Sequence, residues 1–351
     1  MGTNFEIIKI FALTTISFMV AFAWTPLLSH FLFKYRLGKT IRSEGAPIFS
    51  KLHKHKEGTP TMGGILIWMT VLAITFFFSY AGTIEGAPIW LKHFNFLTRE
   101  QTLLPLGVLV ASALVGLLDD WFNINNQGGG KGGGLTVGHR LIIFTLIAAV
   151  GAWWFFFKLG WDVIHLPFVG TFSIGWWYIP FFIFVIVATA FSVNTVDGLD
   201  GLAGGIVLSS FASVGAIAFL QQNYNLVALC GVIVGALLAF LWFNIPPARF
   251  FMGDTGSMSL GVTLGVVALL AHAEFFLPII GLLLVLESLS VIAQIFSKRI
   301  LGKKILLSAP LHHHLEAIGW RESTIVMRFW VISGVTSVLG LILALMDQSL
   351  K

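Results

Sequence analysis

The sequence predicts an all-α polytopic membrane protein with about ten transmembrane helices, and two observations lead to this fold class. Hydrophobic residues make up 57% of the 351 residues and charged residues only 11%, whereas soluble globular proteins contain about 25% charged residues. Apolar runs of roughly 20 residues, the length that crosses a bilayer as a helix, recur along the chain. We therefore expect one integral membrane domain over residues 1–351.

Ten apolar segments are predicted to span the membrane, and the sixth to the ninth are short or interrupted by glycine. The first is long enough to span and lacks a small-residue cleavage pattern, so we expect a membrane helix there and not a signal peptide. In chain order the segments lie near 5–33, 62–80, 102–118, 140–157, 175–193, 201–219, 226–244, 256–273, 275–297 and 325–346. The loop 158–174 fits either a short β-hairpin or an irregular loop.

The distribution of Lys and Arg predicts which loops face the cytoplasm. The loops after the first, third, seventh and ninth segments contain fifteen of these residues, and the alternate loops contain only Lys92, Arg99 and Lys158. Because short positively charged loops stay in the cytoplasm, both termini are predicted to lie on the outer side. The basic residues lie mostly in two of these loops, so they indicate membrane topology and not nucleic-acid binding.

Five of the seven aspartates follow or precede predicted spans on the cytoplasmic side. Carboxylates beside a bilayer core are costly and by default mark a functional site. Clustered carboxylates with glycines suit a hard cation such as Mg²⁺ together with phosphate groups. The sequence therefore predicts a membrane enzyme that acts on a phosphorylated substrate, with a site that includes Asp119, Asp120, Asp197, Asp200 and Asp254.

Each aspartate motif also has a structural alternative. One carboxylate of Asp119-Asp120 could bind the metal while the other acts as base or nucleophile, or the pair could be a solvated helix end. Asp197 and Asp200, with the nearby amide of Asn194, could contact a nucleotide or could form an Asx-type turn. The helix start at Asp254 could offer backbone N–H groups to a phosphate, or Asp254 or Thr255 could cap it.

Basic and imidazole groups on the same side are candidate phosphate ligands. His312, His313 and His314 point around a helix and cannot all face one ion, so phosphate or sugar contact is expected, or an interfacial helix. Lys56, with Thr61 nearby, could neutralise a phosphate or anchor the topology. The glycine run 128–134 lacks phosphate-loop spacing, which leaves Lys131 as a possible contact. Glu287 within a span could line a polar cleft or pair with another helix.

Five sequence motifs in this order resemble those of the phospho-N-acetylmuramoyl-pentapeptide-transferase family, within the polyprenyl-phosphate N-acetylhexosamine-1-phosphate transferase superfamily. They are GTPTMGG, LLDD, NTVDGLDGLAGG, the stretch from Asn244 to FMGDTGS, and APLHHHLE, which together cover about residues 56–320. The resemblance implies ten transmembrane helices with both termini outside and a location in the bacterial cytoplasmic (inner) membrane. It also implies a homodimer.

The resemblance further implies a reaction and a set of site residues. Undecaprenyl phosphate attacks the β-phosphate of UDP-MurNAc-pentapeptide, Mg²⁺ assists, and lipid I and UMP are released in peptidoglycan biosynthesis. The expected catalytic and metal residues are Asp119, Asp120 and Asp254. The expected substrate-binding residues are Lys56, Thr61, Lys131, Asn194, Asp197, Asp200, Asn244, Phe251, His312, His313 and His314.

Two other functions remain open from the sequence. A sister transferase that moves GlcNAc-1-phosphate to the same lipid would use the same aspartate motifs. A transporter would carry ionisable residues near the bilayer midplane and an internal repeat. The acids lie at one surface and no repeat is visible, which disfavours transport.

Overall fold

The computed structural model describes residues 3–38, 53, 56–86, 88–129 and 133–349. Its framework is a bundle of long α-helices with a few short helices between them. The helices are α1 Thr3–Lys34, α2 Ile65–Ala81, α3 Ile89–His93, α4 Leu103–Ile124, α5 Val137–Trp153, α6 Tyr178–Val196, α7 Leu202–Leu220, α8 Tyr224–Asn244, α9 Gly253–Leu270, α10 Leu277–Ile280, α11 Leu282–Ile300, α12 Leu311–Ala317 and α13 Glu322–Ser349. A π-helical turn, Trp154–Lys158, extends α5, and a short 3-10 turn, Gly175–Trp177, precedes α6.

The prediction of a mostly helical polytopic membrane protein is confirmed. Nine of the ten predicted spans each coincide with one helix, whereas the ninth, 275–297, covers α10 and α11, which are separated at Gly281. Within the described residues eight helices are long and apolar enough to cross a membrane. Two further helices are not among these eight. Helix α2 has only 17 residues, and α11 contains three charged residues, Glu287, Lys298 and Arg299. The count of ten spans and the outer position of both termini stay predictions.

Helix α9 forms the centre of the bundle, because every one of its residues is buried. It packs against α4 and α6, and glycines allow the closest approaches. A Cβ atom placed on Gly116 of α4 would lie 2.3 Å from the backbone oxygen of Asp254, and one on Gly64 would lie 2.3 Å from Cα of Gly256. Glycine is therefore required where these backbones touch.

The loop 158–174 folds as a β-hairpin, one of the two alternatives that its sequence allowed. Strand β1, Val163–Leu166, pairs antiparallel with β2, Gly170–Ser173. Asp347 near the end of α13 holds the hairpin. Its Oδ2 lies 2.5 Å from His165 Nε2, and its Oδ1 accepts a hydrogen bond of 2.6 Å from the backbone N–H of Phe168.

Candidate active site

A buried cluster of opposite charges surrounds Arg140 at the end of the bundle where α4 and α6 end and α5 and α9 begin. The guanidinium Nε lies 2.7 Å from Asp119 Oδ2, and the terminal nitrogens lie 3.0 Å from Asp254 Oδ2 and 2.9 Å from Asn194 Oδ1. Asn194 Nδ2 donates to Asp254 Oδ1 at 2.7 Å. One cation on α5 therefore links the ends of three other helices.

The Arg140 cluster has more negative than positive charge. Asp119, Asp120 and Asp254 are each at most 7% exposed, and with the single guanidinium of Arg140 they leave a formal charge of −2. Asp119 Oδ2 lies 2.7 Å from Arg140 Nε, and apart from this ion pair it has no hydrogen-bond partner within the described part of the chain. Buried carboxylates that outnumber the neighbouring cation suit a divalent cation with oxygen ligands.

Asp120 caps helix α9 from the neighbouring helix. Its Oδ1 and Oδ2 each accept a hydrogen bond of 3.1 Å, from the backbone N–H groups of Asp254 and Thr255. Thr61 Oγ1 donates to the same Oδ1 at 3.3 Å. A carboxylate at a helix N-terminus satisfies donors that lack partners within the helix and interacts favourably with the helix dipole.

The capping contacts of Asp120 correct two expectations for the start of α9. Asp254 and Thr255 were candidate caps, but neither side chain caps this helix, and the cap comes from α4. The two backbone N–H groups were also considered as phosphate donors. They already donate to Asp120, so a phosphate would have to displace a carboxylate to reach them.

The glycine-rich loop reaches the Arg140 cluster through its last residues. The backbone N–H of Leu135 donates to Asp119 Oδ1 at 2.6 Å. Gly134, with φ +76°, passes so close that a Cβ there would lie 2.6 Å from the same oxygen. Only glycine readily adopts this left-handed conformation in so little space. The predicted contact Lys131 lies outside the described residues.

A second charged cluster surrounds Lys56. Its Nζ lies 2.7 Å from Asp200 Oδ1 and 2.5 Å from Glu322 Oε1, and 6.0 Å from the ring centre of Phe251. The backbone of Asp200 donates to Glu322 Oε1 at 2.8 Å, and that of Ala248 donates to Asp200 Oδ2 at 3.0 Å. The predicted partners Lys56, Asp200 and Phe251 therefore meet, and Glu322 joins them.

The amide of Asn244 is occupied by hydrogen bonds to the backbone. Its Oδ1 accepts from the N–H of Gly201 at 2.9 Å, and its Nδ2 donates to the carbonyl of Phe250 at 2.8 Å. These bonds fix the loop that contains Phe251 against the start of α7. Asn244 therefore shapes the Lys56 cluster. Asp197 forms the C-terminal cap position of α6, and in the chain it lies between Asn194 and Asp200.

His312 is fully buried and is oriented by Glu287 of α11. Glu287 Oε2 lies 3.0 Å from His312 Nδ1, and Oε1 accepts the backbone N–H of His312 at 3.1 Å. The other ring nitrogen, Nε2, has no hydrogen-bond partner among the residues that the structure describes. It faces the turn after Asp197, where a Cβ atom on Gly198 would lie only 2.3 Å from it.

His313 is held by a second glutamate. Its Nδ1 lies 2.7 Å from Glu316 Oε2, which also lies 3.1 Å from Nε2 of His53. Burial, together with the neighbouring His312 and His53, lowers the pKa of His313 to about 3, so its imidazole is neutral at physiological pH. Burial alone would raise the pKa of Glu316, but hydrogen bonds from His313 and His53 lower it to about 2.

The three consecutive histidines have separate partners, as expected for side chains that point around a helix. His314 Nδ1 accepts the backbone N–H of Leu307 at 3.2 Å. His53, His313 and Glu316 place three possible ligand atoms within 4.8 Å of one another, the closest approach to a metal-binding geometry among the described residues. Their atoms already pair with each other through hydrogen bonds.

Most of the site residues expected from the sequence lie in or beside these clusters, but four contributors were missed. Arg140 was counted only as a charge that sets topology, although it lies in the first turn of α5, at the end of a predicted span. Glu316 lies near the end of α12 and Glu322 is the first residue of α13, and His53 precedes Lys56 by three residues. Ionisable residues near the ends of predicted spans were the signal that could have identified them.

The chain is similar to known proteins over most of its length. The family model described as glycosyl transferase family 4 matches residues 102–272, and the phospho-N-acetylmuramoyl-pentapeptide-transferase signature 1 matches residues 56–67. The phospho-N-acetylmuramoyl-pentapeptide-transferase of Chloroflexus aggregans is 38% identical over 333 residues, which cover 91% of this chain and 85% of that protein. The enzymes of the same name from Bacillus mycoides and Geobacillus thermodenitrificans are 37% and 36% identical, each covering 93% of this chain and 95% of the relative.

Proposed function

This chain belongs to the phospho-N-acetylmuramoyl-pentapeptide-transferase family, and from that premise we propose that it catalyses the reaction for which the family is named. It transfers phospho-MurNAc-pentapeptide from UDP-MurNAc-pentapeptide to undecaprenyl phosphate and so produces lipid I and UMP. The buried Arg140 cluster at one end of the membrane helices carries the proposal. It concentrates carboxylates and a guanidinium where a lipid phosphate and a soluble nucleotide can both arrive.

The proposed chemistry is phosphoryl transfer, which needs alignment and charge neutralisation. An oxygen of undecaprenyl phosphate attacks the β-phosphorus of the donor. The bond from this phosphorus to the bridging oxygen breaks, and UMP leaves with the electron pair. Arg140 and Lys56 are the partly buried cations that would face the diphosphate, once each exchanges a carboxylate contact for a phosphate oxygen.

We assign different roles to the two adjacent aspartates. Asp119 Oδ2 pairs with Arg140 and with no backbone N–H among the described residues, so once Arg140 turns to a phosphate this oxygen can orient or deprotonate the attacking phosphate. Both oxygens of Asp120 accept backbone N–H groups of α9. Asp120 therefore serves the reaction by holding Asp254 in place. We assign it a positioning role and not the catalytic role expected from the resemblance.

Asp119 and Asp254 are the residues that would hold Mg²⁺. Their Oδ2 atoms both face Arg140, and the cluster as a whole carries excess negative charge. The bound ion would neutralise charge on the diphosphate. Asn194 fixes the orientation of Asp254 through its 2.7 Å hydrogen bond to Oδ1, and Oδ2 becomes the ligand atom when Arg140 exchanges its contact with this oxygen for a phosphate.

The remaining expected contacts are proposed as the donor pocket. Phe251 presents a ring beside Lys56, suited to stacking on uracil. Asp197, Asp200 and the imidazoles of His312, His313 and His314 complete the proposed pocket, and the contact of His312 with Gly198 joins the histidines to the turn that carries the two aspartates. Thr61 donates a hydrogen bond to Asp120, and Asn244 donates one to the carbonyl of Phe250, so both residues support the pocket indirectly. Lys131 is retained as a possible diphosphate ligand.

We further propose that the two charged clusters face the cytoplasm of a bacterial inner membrane, with ten spans and both termini outside. The excess of Lys and Arg in the loops at this end supports that orientation. The soluble donor is made of charged groups that do not cross a bilayer, so the site must open on the side where it is supplied. The homodimer expected from the resemblance stays a prediction.

The test of the proposed function is UMP release by the purified full chain in detergent with undecaprenyl phosphate and Mg²⁺. UDP-MurNAc-pentapeptide and UDP-GlcNAc are compared as donors, and Asp119→Asn serves as the inactive control. Turnover with the pentapeptide donor alone is expected. Turnover with UDP-GlcNAc alone would assign the sister activity, and silence with both from a folded sample would reject phosphosugar transfer.

A further inference from the structure

We propose that Glu287 is a positioning residue that holds the imidazole of His312 with Nδ1 protonated and with the lone pair of Nε2 directed at the donor substrate. The proposal rests on the proposed function for the identity of that substrate. It explains why an ionisable residue lies within α11, where a charge is costly. It also gives the first histidine of the run a role different from that of its neighbours.

The hydrogen-bonding pattern fixes which nitrogen carries the proton. An ionised carboxylate only accepts hydrogen bonds. Glu287 lies 3.0 Å from Nδ1 of His312 and 3.1 Å from its backbone nitrogen, so both nitrogens donate to it. The ring is 0% exposed, as is the side chain of Glu287, and no water competes for these contacts.

The second ring nitrogen is the one that remains for a ligand. Within the described residues, Nε2 of His312 has no partner, although buried polar atoms are nearly always paired. A charged imidazole would leave an N–H donor unsatisfied, which costs more than an unsatisfied lone pair on a neutral ring. The neutral ring with an accepting Nε2 is therefore the form that Glu287 holds.

The position of Nε2 connects it to the donor pocket. It approaches Gly198 so closely that any Cβ there would lie 2.3 Å away. Gly198 lies in the turn between Asn194, which binds Asp254, and Asp200, which binds Lys56. A hydroxyl or N–H group of a nucleotide sugar that enters between these clusters and displaces the Gly198 turn, which covers the buried ring, would find an acceptor in Nε2.

Glu287→Gln gives a sharp test because it keeps the shape and changes the pattern of donors. A carboxylate accepts both N–H groups, whereas a glutamine has one carbonyl oxygen. When that oxygen accepts the backbone N–H of His312, the amide must donate to Nδ1, and the ring proton moves to Nε2. The substitution is therefore expected to reverse the tautomer of His312 and to turn its free acceptor into a donor.

The measurement is the ¹⁵N spectrum of histidine side chains in the purified full chain, with the His312 signals assigned by comparison with His312→Gln. The wild type is expected to show a neutral ring protonated at Nδ1, and Glu287→Gln a ring protonated at Nε2. A wild-type ring protonated at Nε2 alone, or at both nitrogens, overturns the proposal. The signals of the other histidines report whether each variant is folded.

Kinetics supply the second measurement. Glu287→Gln is expected to lower kcat/KM for UMP release by about 10- to 100-fold, the usual effect of losing a partner that orients a ligand residue. In a His312→Gln background the same change is expected to add nothing, because the two residues act through one contact. Independent, additive losses would show that Glu287 acts elsewhere and would overturn the proposal.

Ser290→Ala is the matched control. Ser290 lies on the same helix and its Oγ accepts the backbone N–H of Leu311 at 3.0 Å, so it anchors the start of α12 without touching the imidazole. The control is expected to leave the His312 tautomer and the kinetics near wild type. If it matched the loss in Glu287→Gln, Glu287 would be only an anchor. Absence of turnover in the wild type would reject the proposed function, while the spectrum would still decide the role of Glu287.

Discussion

At the scale of single residues, Arg140 is the side chain that joins the acidic groups of the site. Its guanidinium contacts Asp119, Asp254 and Asn194 at once. A lysine carries the same charge on one nitrogen and cannot bridge three separated acceptors in a plane. This geometry makes the guanidinium itself, and not only its charge, necessary.

Arg140→Lys is expected to lower kcat for UMP release by about 10²-fold, comparable with the loss of one preorganised donor in other active sites. Arg299→Lys, on the exposed end of α11, is the matched control and is expected to retain wild-type rates. Steady-state kinetics on both purified variants make the comparison. A wild-type kcat in Arg140→Lys would show that the guanidinium is not needed for turnover.

Substitutions of the two adjacent aspartates are expected to differ in their effects on stability and on activity. Asp120→Asn replaces one accepting oxygen by an amide group that faces a backbone N–H of α9, which is expected to destabilise the fold by about 1–3 kcal/mol. Asp119→Asn is expected to abolish turnover with little change in Tm. Thermal unfolding in detergent and UMP release are the two measurements, and equal Tm values for the two variants would contradict the capping role.

The sequence allowed the aspartates to be found but not their roles to be separated. Asp119 and Asp120 are identical in type and adjacent in the chain, and only the position of the α9 N-terminus decides which one caps it. Arg140 and Glu322 were missed because a charge near a span end also has an ordinary topological explanation. Their contacts join segments that are far apart in the chain, and no local pattern reports such pairs.

At the scale of elements, the contact between α4 and α9 sets the geometry of the site. Gly116 of α4 packs against the backbone of Asp254 and Thr255, one helical turn before Asp119 and Asp120. A side chain at this position would push α9 away from α4. The distance between the aspartates on the two helices therefore depends on the absence of a single methyl group.

Gly116→Ala is expected to reduce both Tm and turnover, because the added methyl would lie 2.3 Å from the Asp254 carbonyl oxygen and the backbone there cannot yield cheaply. Gly107→Ala on the same helix is the control, since a Cβ there meets no atom within 4 Å. Replacing glycine by alanine in an open helix position is expected to be neutral or stabilising by up to about 1 kcal/mol. Equal Tm values for the two variants would contradict the close packing.

The helices themselves were predictable and their junctions were not. Apolar length placed each span, and Thr136 precedes α5 as a side-chain cap that accepts from the N–H of His139. The start of α9 shows the limit. Asp254 and Thr255 are good capping residues by type, but an acid from another helix occupies that position. Local sequence cannot reveal a cap that arrives through tertiary packing.

At the scale of the whole molecule, the end opposite the active site has its own buried acid. Glu274 lies between α9 and α10, and burial raises its pKa from 4.5 to about 7. Tyr178 is the nearby titratable group, and the backbone of His165 in the hairpin donates to the carboxyl. The folded protein therefore binds this proton more tightly than the unfolded chain does.

This raised pKa predicts a pH-dependent stability. From about pH 4.5 to about pH 7 the unfolded chain has released the proton and the folded protein has kept it, so the contribution of Glu274 to stability falls as pH rises through this window and levels off above it. The loss is expected to be about 3 kcal/mol. Tm is measured from pH 5 to 8 for the wild type and for Glu274→Gln, and the wild type is expected to lose stability relative to the variant as the pH rises, because His313 titrates in both. Glu85→Gln, at an exposed position, should behave like the wild type.

The complete burial of α9 also has a consequence for how the chain enters the membrane during synthesis. Of the eight helices suited to spanning, α9 is the least apolar, and its serines and threonines meet protein and not lipid. Such a segment partitions weakly into lipid when it is alone. Its packing partners α4 and α6 precede it in the chain, so a ribosome delivers both before α9 emerges. The order of the helices thus supplies a protein surface into which the catalytic helix can insert.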